Sequence, residues 1–270
     1  MQTSRLALID GDIIVYKMAY RMDKPREVEA TFASTISKSV ETPRTEQEVK
    51  EAVDEFLLNV VQKLGTKHLA GFLSDKRKNL FRTKLATIAE YKGNRKGERP
   101  QFYNFIRSYL EEEYGFLTVH EMEADDALAS CQNSVEGYST FICTTDKDMM
   151  QVPGFHYNWD KDEIVEMRKE TAFKFLCIQA LTGDSTDNIK GIPKVGPKTA
   201  EKWLKDVPND EMLPIVLYHY IEKFGVLEGV HNFQENFKLV ALKTDLEIFP
   251  HVVELPKKVE INVEENQTGW

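Results

Sequence analysis

Several of the chain's carboxylates are placed where they could act together. Asp10 follows the apolar run at 5–9, Asp75 follows the run at 68–73 after one serine, and Asp146 follows the run at 140–143 after two threonines. Denser groups accompany them: Glu123, Asp125 and Asp126 in one tetrapeptide, Asp148 beside Asp146, and Asp184 with Asp187 three residues on. With 44 acidic residues in the chain, pairs alone mean little, so position carries the argument. Carboxylates gathered at one edge repel one another and raise each other's pKa unless a cation neutralises them. Mg²⁺ prefers carboxylate oxygen and commonly bridges protein to phosphate. Two such ions about 4 Å apart can activate water and stabilise a leaving oxygen in phosphodiester cleavage. Singly, each group has a blander reading: Asp10 as a strand-end cap, and Glu123, Asp125 and Asp126 as first-turn residues favoured by a helix dipole. Four groups on one edge are much harder to explain that way.

The elements that must position them are legible in outline. Short apolar runs at 5–9, 68–73, 116–120, 140–143 and, more weakly, 155–159 read as strands. Helical patterns fall between them. At 46–64, Val49, Val53, Phe56, Leu57, Val60, Val61 and Leu64 share one face, Thr45 and Glu48 fit a capping box, and Gly65 fits the end. Further helices are expected at 102–114, 124–132, 170–181, 199–205 and 211–224. Alternating strands and helices predict an α/β fold with a mainly parallel central sheet flanked by helices. In such sheets the carboxyl ends of the strands line one edge, so Asp10, Asp75 and Asp146 should converge. The expected organisation is a core over 1–170, a helical region over 171–250 and a polar tail over 251–270.

Two other stretches suit a polyanion. From Lys76 to Arg99, nine basic residues face only Glu90 and Glu98, a net +7 in 24 residues of a chain whose overall charge is −9. A solvated helix face is the ordinary fate of such a run, but this one starts directly after Asp75 and interleaves Phe81, Arg82, Tyr91, Arg95 and Lys96. Rings among cations can stack on bases while the charges meet phosphates. Farther on, Gly191, Lys194, Gly196, Lys198 and Thr199 lie in a Gly/Pro loop between two expected helices. A tight loop opening a helix can hold a backbone phosphate; the plain alternative is a helix-to-helix turn.

Composition bounds the rest. Hydrophobic residues make up 41% and charged residues 29%, ordinary for a globular protein with a real core. No apolar run approaches the roughly 20 residues of a membrane span, and the start lacks a secretory layout. Cys131, Cys143 and Cys177 are odd in number and form no C-x-x-C pair, which argues against disulfides and zinc and for the reducing cytoplasm. No apolar helical face appears left over, so a monomer is expected.

Taken together, these motifs resemble those of the 5′-nuclease superfamily of flap endonucleases and 5′→3′ exonucleases, and look closest to the phage-encoded members without a fused polymerase. The resemblance runs in order through LIDGD at 8–12, FLSD at 72–75, YKGNR at 91–95, EADD at 123–126, TTDKD at 144–148 and GDSTDNIKGIPKVGPKTA at 183–200. It implies a PIN-like core, a helical arch over about 76–99 and a helix-hairpin-helix over about 183–205. It implies metal ligands at Asp10, Asp75, Glu123, Asp125, Asp126, Asp146, Asp148, Asp184 and Asp187, with Asp126 and Asp184 assisting through water. Lys92 and Arg95 take the catalytic roles at the phosphate. Arg82, Tyr91, Lys96, Gly191, Lys194, Gly196, Lys198 and Thr199 take DNA-binding roles. The implied cofactors are two Mg²⁺ ions, with Mn²⁺ as substitute, and K⁺ at the hairpin. The implied partner is DNA with a 5′ end or 5′ flap, extending to RNA in RNA–DNA hybrids; the setting is replication and repair in the cytoplasm, a host cell's for a phage protein. Lys194 departs from the family, whose hairpins usually carry glycine there.

Three other readings fit parts of the sequence. A haloacid-dehalogenase-type phosphatase would use Asp10-Gly-Asp12 as its D-x-D and Gly183–Asp187 as its last motif, though Ile13 and Ile14 replace its usual Gly-Thr. A non-catalytic protein recognising branched DNA would gain nothing from carboxylates beside phosphate. A related PIN-type RNA nuclease fits the carboxylates but leaves the hairpin unexplained.

Overall fold

The computed structural model describes residues 4–23, 26–30, 38–95, 97–132 and 134–255, with backbone only for 26–30 and 38–42. In chain order the strands are β1 (Ser4–Asp10), β2 (Arg26–Ala30), β3 (Lys38–Thr42), β4 (His68–Ser74), β5 (Leu117–Val119), β6 (Tyr138–Cys143), β7 (Gly154–Asn158), β8 (Glu163–Met167), β9 (Gly183–Asp184), β10 (Ile189–Lys190) and β11 (Val253–Glu254). The helices are α1 (Gly11–Met22), α2 (Glu46–Lys63), α3 (Phe81–Leu85), α4 (Tyr103–Tyr114), α5 (Ala124–Cys131), α6 (Lys169–Thr182), α7 (Pro197–Trp203), α8 (Asn209–Phe224) and α9 (Val226–Val240).

One sheet runs β11–β4–β1–β6–β7–β8, with β5 also on β4. β1, β4, β5, β6 and β7 are parallel, and β8 and β11 pair antiparallel at the two sides. Successive side chains of a strand point to opposite faces, so each central strand feeds two cores. Ala7, Ile9, Leu69, Leu73, Phe141 and Cys143 pack with α1, α2 and α4. Leu6, Leu8, Ala70, Phe72 and Ile142 pack with α5. Burial on both faces explains why these strands read as continuous apolar runs. A third cluster joins α6, α7, α8 and α9 around Cys177, Leu181, Val216, Tyr220 and Leu239, and takes in Leu80 and Tyr91.

The capping box at Thr45 and Glu48 is present, and Gly65 takes φ +63°. Other features depart from the sequence reading. α1 and α9 were not anticipated. Asp10 caps α1, whose first turns carry the β-branched Ile13, Ile14 and Val15, which favour a helix only weakly. α9 lies against α8 at Gly229, where a Cβ would meet Ile221 Cα at 2.7 Å. Among the described residues of the expected helical arch over 76–99, helix is found in a 3₁₀ turn at Arg77–Asn79 and in α3. Residues 256–270 of the expected tail lie outside the described residues, while Val253 and Glu254 pair with β4. No helix among the described residues is long and apolar enough to cross a membrane.

Candidate active site

β5, β4, β1 and β6 lie side by side and parallel, so their carboxyl ends form one edge. Asp10 ends β1 and caps α1. Its Oδ1 accepts from the Ile13 amide at 3.2 Å and its Oδ2 from the Thr144 hydroxyl at 2.6 Å. Burial, with Asp12 and then Asp146 nearby, pushes its carboxyl up to about 7. Asp125, in the first turn of α5, is raised well above the carboxylate range by burial and by Asp10, Asp146 and Glu123. Asp146 is raised by burial and by Asp187 and Asp184, although the Asp148 amide donates to it at 2.8 Å. Burial and Asp146 bring Asp148 to about 8; it donates to Asp184 and accepts from Gln179 Nε2 at 2.7 Å. Asp184 sits below its ordinary value: burial opposes this, and the hydrogen bond from Asp148 and the 2.7 Å bond from the Thr186 amide outweigh it.

Glu123 and Asp187 are held differently, because a cation already lies between them. Lys92 Nζ donates to Glu123 Oε1 and stands 3.5 Å from Asp187 Oδ2. The Tyr91 hydroxyl bridges Glu123 Oε2 at 2.6 Å and Asp187 Oδ2 at 2.8 Å, and Arg95 meets Asp187 Oδ1 at 2.5 Å. Burial lowers the Lys92 ammonium, but Glu123 and Asp187 outweigh it and hold the lysine charged. Glu123 is correspondingly lowered despite its burial.

A void of about 30 Å³, lined by Glu123, Asp125, Asp148, Asp184 and Asp187, lies among these groups. That is room for one water or one ion. Among the described residues no three His, Cys, Asp or Glu side chains are drawn close enough to hold an ion as they stand. The donor set itself fits a hard divalent cation. It is all oxygen and largely buried, and in Asp10, Asp125, Asp146 and Asp148 burial, then neighbouring carboxylates, holds the carboxyl above its ordinary range.

Several expected site residues are not in this group. Asp75 turns away: its carboxylate accepts from the Lys76 amide at 2.6 Å, Asn79 Nδ2 at 2.9 Å and the Glu121 amide at 3.0 Å, which lower its pKa. Asp126 is wholly buried, and its oxygens accept from Arg82, the Lys243 amide and the Glu123 amide, leaving no access for an ion or its water. Arg82 is 2% exposed and pairs with that aspartate, so it cannot meet DNA. Tyr91 is equally buried and presents no face for a base to stack on. Lys96 lies outside the described residues.

Comparison with known proteins identifies the family. Residues 5–174 match the 5′-3′ exonuclease N-terminal resolvase-like domain, and residues 171–269 match the 5′-3′ exonuclease C-terminal SAM fold. The chain belongs to the 5′-3′ exonuclease family. A 5′-3′ exonuclease of Buchnera aphidicola is 27% identical over 82% of this chain and 76% of its own length. DNA polymerase I of Streptococcus pneumoniae is 25% identical over 91% of this chain but only 27% of its own length, and that of Mycobacterium leprae matches over 22% of its length. The chain thus spans about a quarter of these polymerases. Among solved structures, the 5′-exonuclease of bacteriophage T5 with bound zinc superposes with a TM-score of 0.65 at 17% identity, covering 89% of this chain and 90% of that one. The T5 flap endonuclease in complex with DNA and metal ions superposes at 0.62 and 16%, with the same coverage. At these identities the likeness concerns the fold.

Within this member of the 5′-3′ exonuclease family, the hairpin loop keeps the backbone that glycine would favour. Lys194 takes φ +68°, the left-handed region. Lys194 and Lys198 are exposed, Thr199 is half-buried, and Gly196 precedes Pro197 at the start of α7. Gly191 serves packing: a Cβ there would meet the Thr182 carbonyl carbon at 2.1 Å. Replacing Lys194 with glycine is expected to raise stability by about 1 kcal/mol by relieving that strain. Chemical denaturation checks this; a loss of stability would show that the lysine side chain outweighs the strain.

Sequence reasoning missed several residues of the site. Asp12 accepts from the Ser74 amide at 3.2 Å and faces Arg107 at 3.5 Å. It belongs to a cleft of about 340 Å³ with Lys76, Arg77, Lys92, Arg95 and Arg99. Thr144 and Gln179 hold Asp10 and Asp148. Glu235 of α9 accepts from the Thr87 and Ile88 amides and pins the basic segment to the helices. Only Asp12 and Thr144 carried a signal, as neighbours of Asp10 and Asp146 in sequence.

Proposed function

We propose that this chain is a divalent-metal-dependent nuclease that hydrolyses phosphodiester bonds of DNA at a 5′ end or 5′ flap. The observation that carries this reading is the cluster of seven carboxylates that follow β1, β5 and β6 or lie in the 183–187 segment, five of them lining one void, with Lys92 and Arg95 paired to Glu123 and Asp187. Asp10, Glu123 and Asp125 would hold one Mg²⁺ and Asp146, Asp148 and Asp187 a second, with Asp184 assisting. Bound there, such ions supply an activated water and stabilise the leaving oxygen. Lys92 and Arg95 stabilise charge on the phosphate, and the surrounding burial strengthens their effect. The cleft beside Asp12, rich in cations, receives the 5′ strand. Lys194 and Lys198 contact the duplex backbone. The zinc-bound exonuclease and the DNA-bound flap endonuclease of phage T5 share this fold, which supports the choice of cofactor class and substrate.

The phosphatase reading loses its support. The residues before Gly183 form helix α6 rather than a strand, and Asp10 is buried with both oxygens engaged, a poor position for a nucleophile. The deciding experiment is a 5′-flap DNA labelled separately at each end, incubated with Mg²⁺ or EDTA. Cleavage near the junction or stepwise loss from the 5′ end, only with Mg²⁺, supports the proposal. Binding without cleavage in Mg²⁺ or Mn²⁺ would refute it.

The raised carboxylates also predict a pH effect. Asp10 and Asp148 keep protons in the fold up to about 7 and about 8, whereas the unfolded chain loses them near 3.8. The folded protein therefore binds more protons across that window, and its stability without metal falls as pH rises through it. The melting temperature in EDTA should drop by roughly 5 °C between pH 5 and pH 8, and Mg²⁺ should raise it more at pH 8 than at pH 5. A melting temperature that climbs over this range would contradict the assignment.

A further inference from the structure

We infer that Arg82 is a positioning residue for the proposed reaction, fixing the carboxylate of Glu123 and, with Asp126, tying α3, α5 and the end of α9 into one unit. A guanidinium has five N–H donors, and here each has a partner. Nε donates to the Leu239 carbonyl at 2.9 Å. Nη1 donates to Glu123 Oε2 at 3.1 Å and Asp126 Oδ2 at 2.6 Å. Nη2 donates to Asp126 Oδ1 at 2.8 Å and the Ala241 carbonyl at 3.0 Å. No donor remains for a phosphate, so the cation does not act on DNA directly.

Leu239 and Ala241 lie at the end of α9, where helix carbonyls lack intrahelical partners, and Arg82 satisfies two of them. Asp126 also accepts from the Lys243 amide at 2.9 Å, which fastens the chain beyond α9 to the same point. The consequence falls on Glu123. Its Oε2 is held by Arg82 and Tyr91, while Oε1 is held by Lys92. Arg82 and Tyr91 thus engage Oε2, so that Oε1, paired with Lys92, is the oxygen Glu123 would offer to an ion, and they set its direction. Stability alone does not call for such a buried pair, since apolar packing often serves as well. Groups that orient a ligating carboxylate typically change metal affinity by about 10- to 100-fold when removed.

The inference rests on the reading of the site as metal-dependent. Its main readout, the Mg²⁺ concentration giving half of the metal-induced thermal shift, is taken without DNA. The parent protein's failure to cleave would sink the nuclease reading but leave this readout intact. In Arg82→Lys, the half-point should rise about 10-fold in thermal shift and in flap cleavage. Cleavage at saturating Mg²⁺ should stay within about threefold of the parent, and flap affinity in EDTA should not change. Adding Asp126→Asn should produce no further shift, because both changes break the same unit. Should Arg82→Lys fail to fold, Asp126→Asn alone should show the 10-fold shift. A lower melting temperature with an unmoved half-point would mean a purely structural role. Weaker flap binding in EDTA would mean a phosphate contact, and an additive second shift would make Asp126 an independent ligand. Any of these three results overturns the inference.

Discussion

Lys92→Ala is expected to slow flap cleavage by about 10²–10³-fold while leaving duplex affinity within about twofold. The size follows from placement. Lys92 is 15% exposed by its side chain, lies at the rim of the carboxylate ring and is kept charged by Glu123 and Asp187. Its backbone takes φ +54°, is fixed by an N–H to the Asp187 carbonyl at 2.8 Å, and accepts from Arg77 at 2.9 Å. On the proposed reading, a side chain held this firmly beside the carboxylates would act on charge that develops during the reaction, so its loss should reduce turnover rather than binding. The same substitution removes the cation between Glu123 and Asp187, so Mg²⁺ should bind the variant more tightly. Calorimetry without DNA and single-turnover cleavage measure the two halves. Unchanged turnover would remove Lys92 from the mechanism.

Asp146→Asn should have an effect at least as large, about 10³-fold on cleavage, on the scale of losing a principal stabilising group. Asp146 acts electrostatically on Asp10, Asp125 and Asp148 and is itself raised by burial, Asp187 and Asp184. Asparagine keeps the oxygen that accepts from the Asp148 amide, so the turn at Lys147–Gln151 should survive. Removing one of several mutually repelling charges should stabilise the metal-free protein by about 1–2 kcal/mol at pH 8. An active site carries such strain for its function. Denaturant titration in EDTA and a cleavage time course in Mg²⁺ test this together. A variant that both cleaves normally and loses stability would show that Asp146 belongs to the scaffold and not to the chemistry.

By itself, the sequence determined that β1, β4 and β6 are buried strands ending at or beside Asp10, Asp75 and Asp146. An apolar run covered on both faces is a local signal, and parallel strands must bring their ends to one edge. It also determined the capping box of α2 and the carboxylates that follow β5 and α6, because caps and spacing act within a few residues. The direction of each side chain was another matter. Asp75 and Asp10 end neighbouring strands, yet only Asp10 faces the ring, because the amides of Lys76 and Glu121 and the side chain of Asn79 draw Asp75 away. The basic stretch gave no sign that Arg82 would be buried. Its partners, Asp126, Leu239 and Ala241, are 44 to 159 residues distant, and α9 had not been anticipated. Only the tertiary structure decided which charges face solvent and which face one another, since desolvation and pairing depend on groups far apart in the chain.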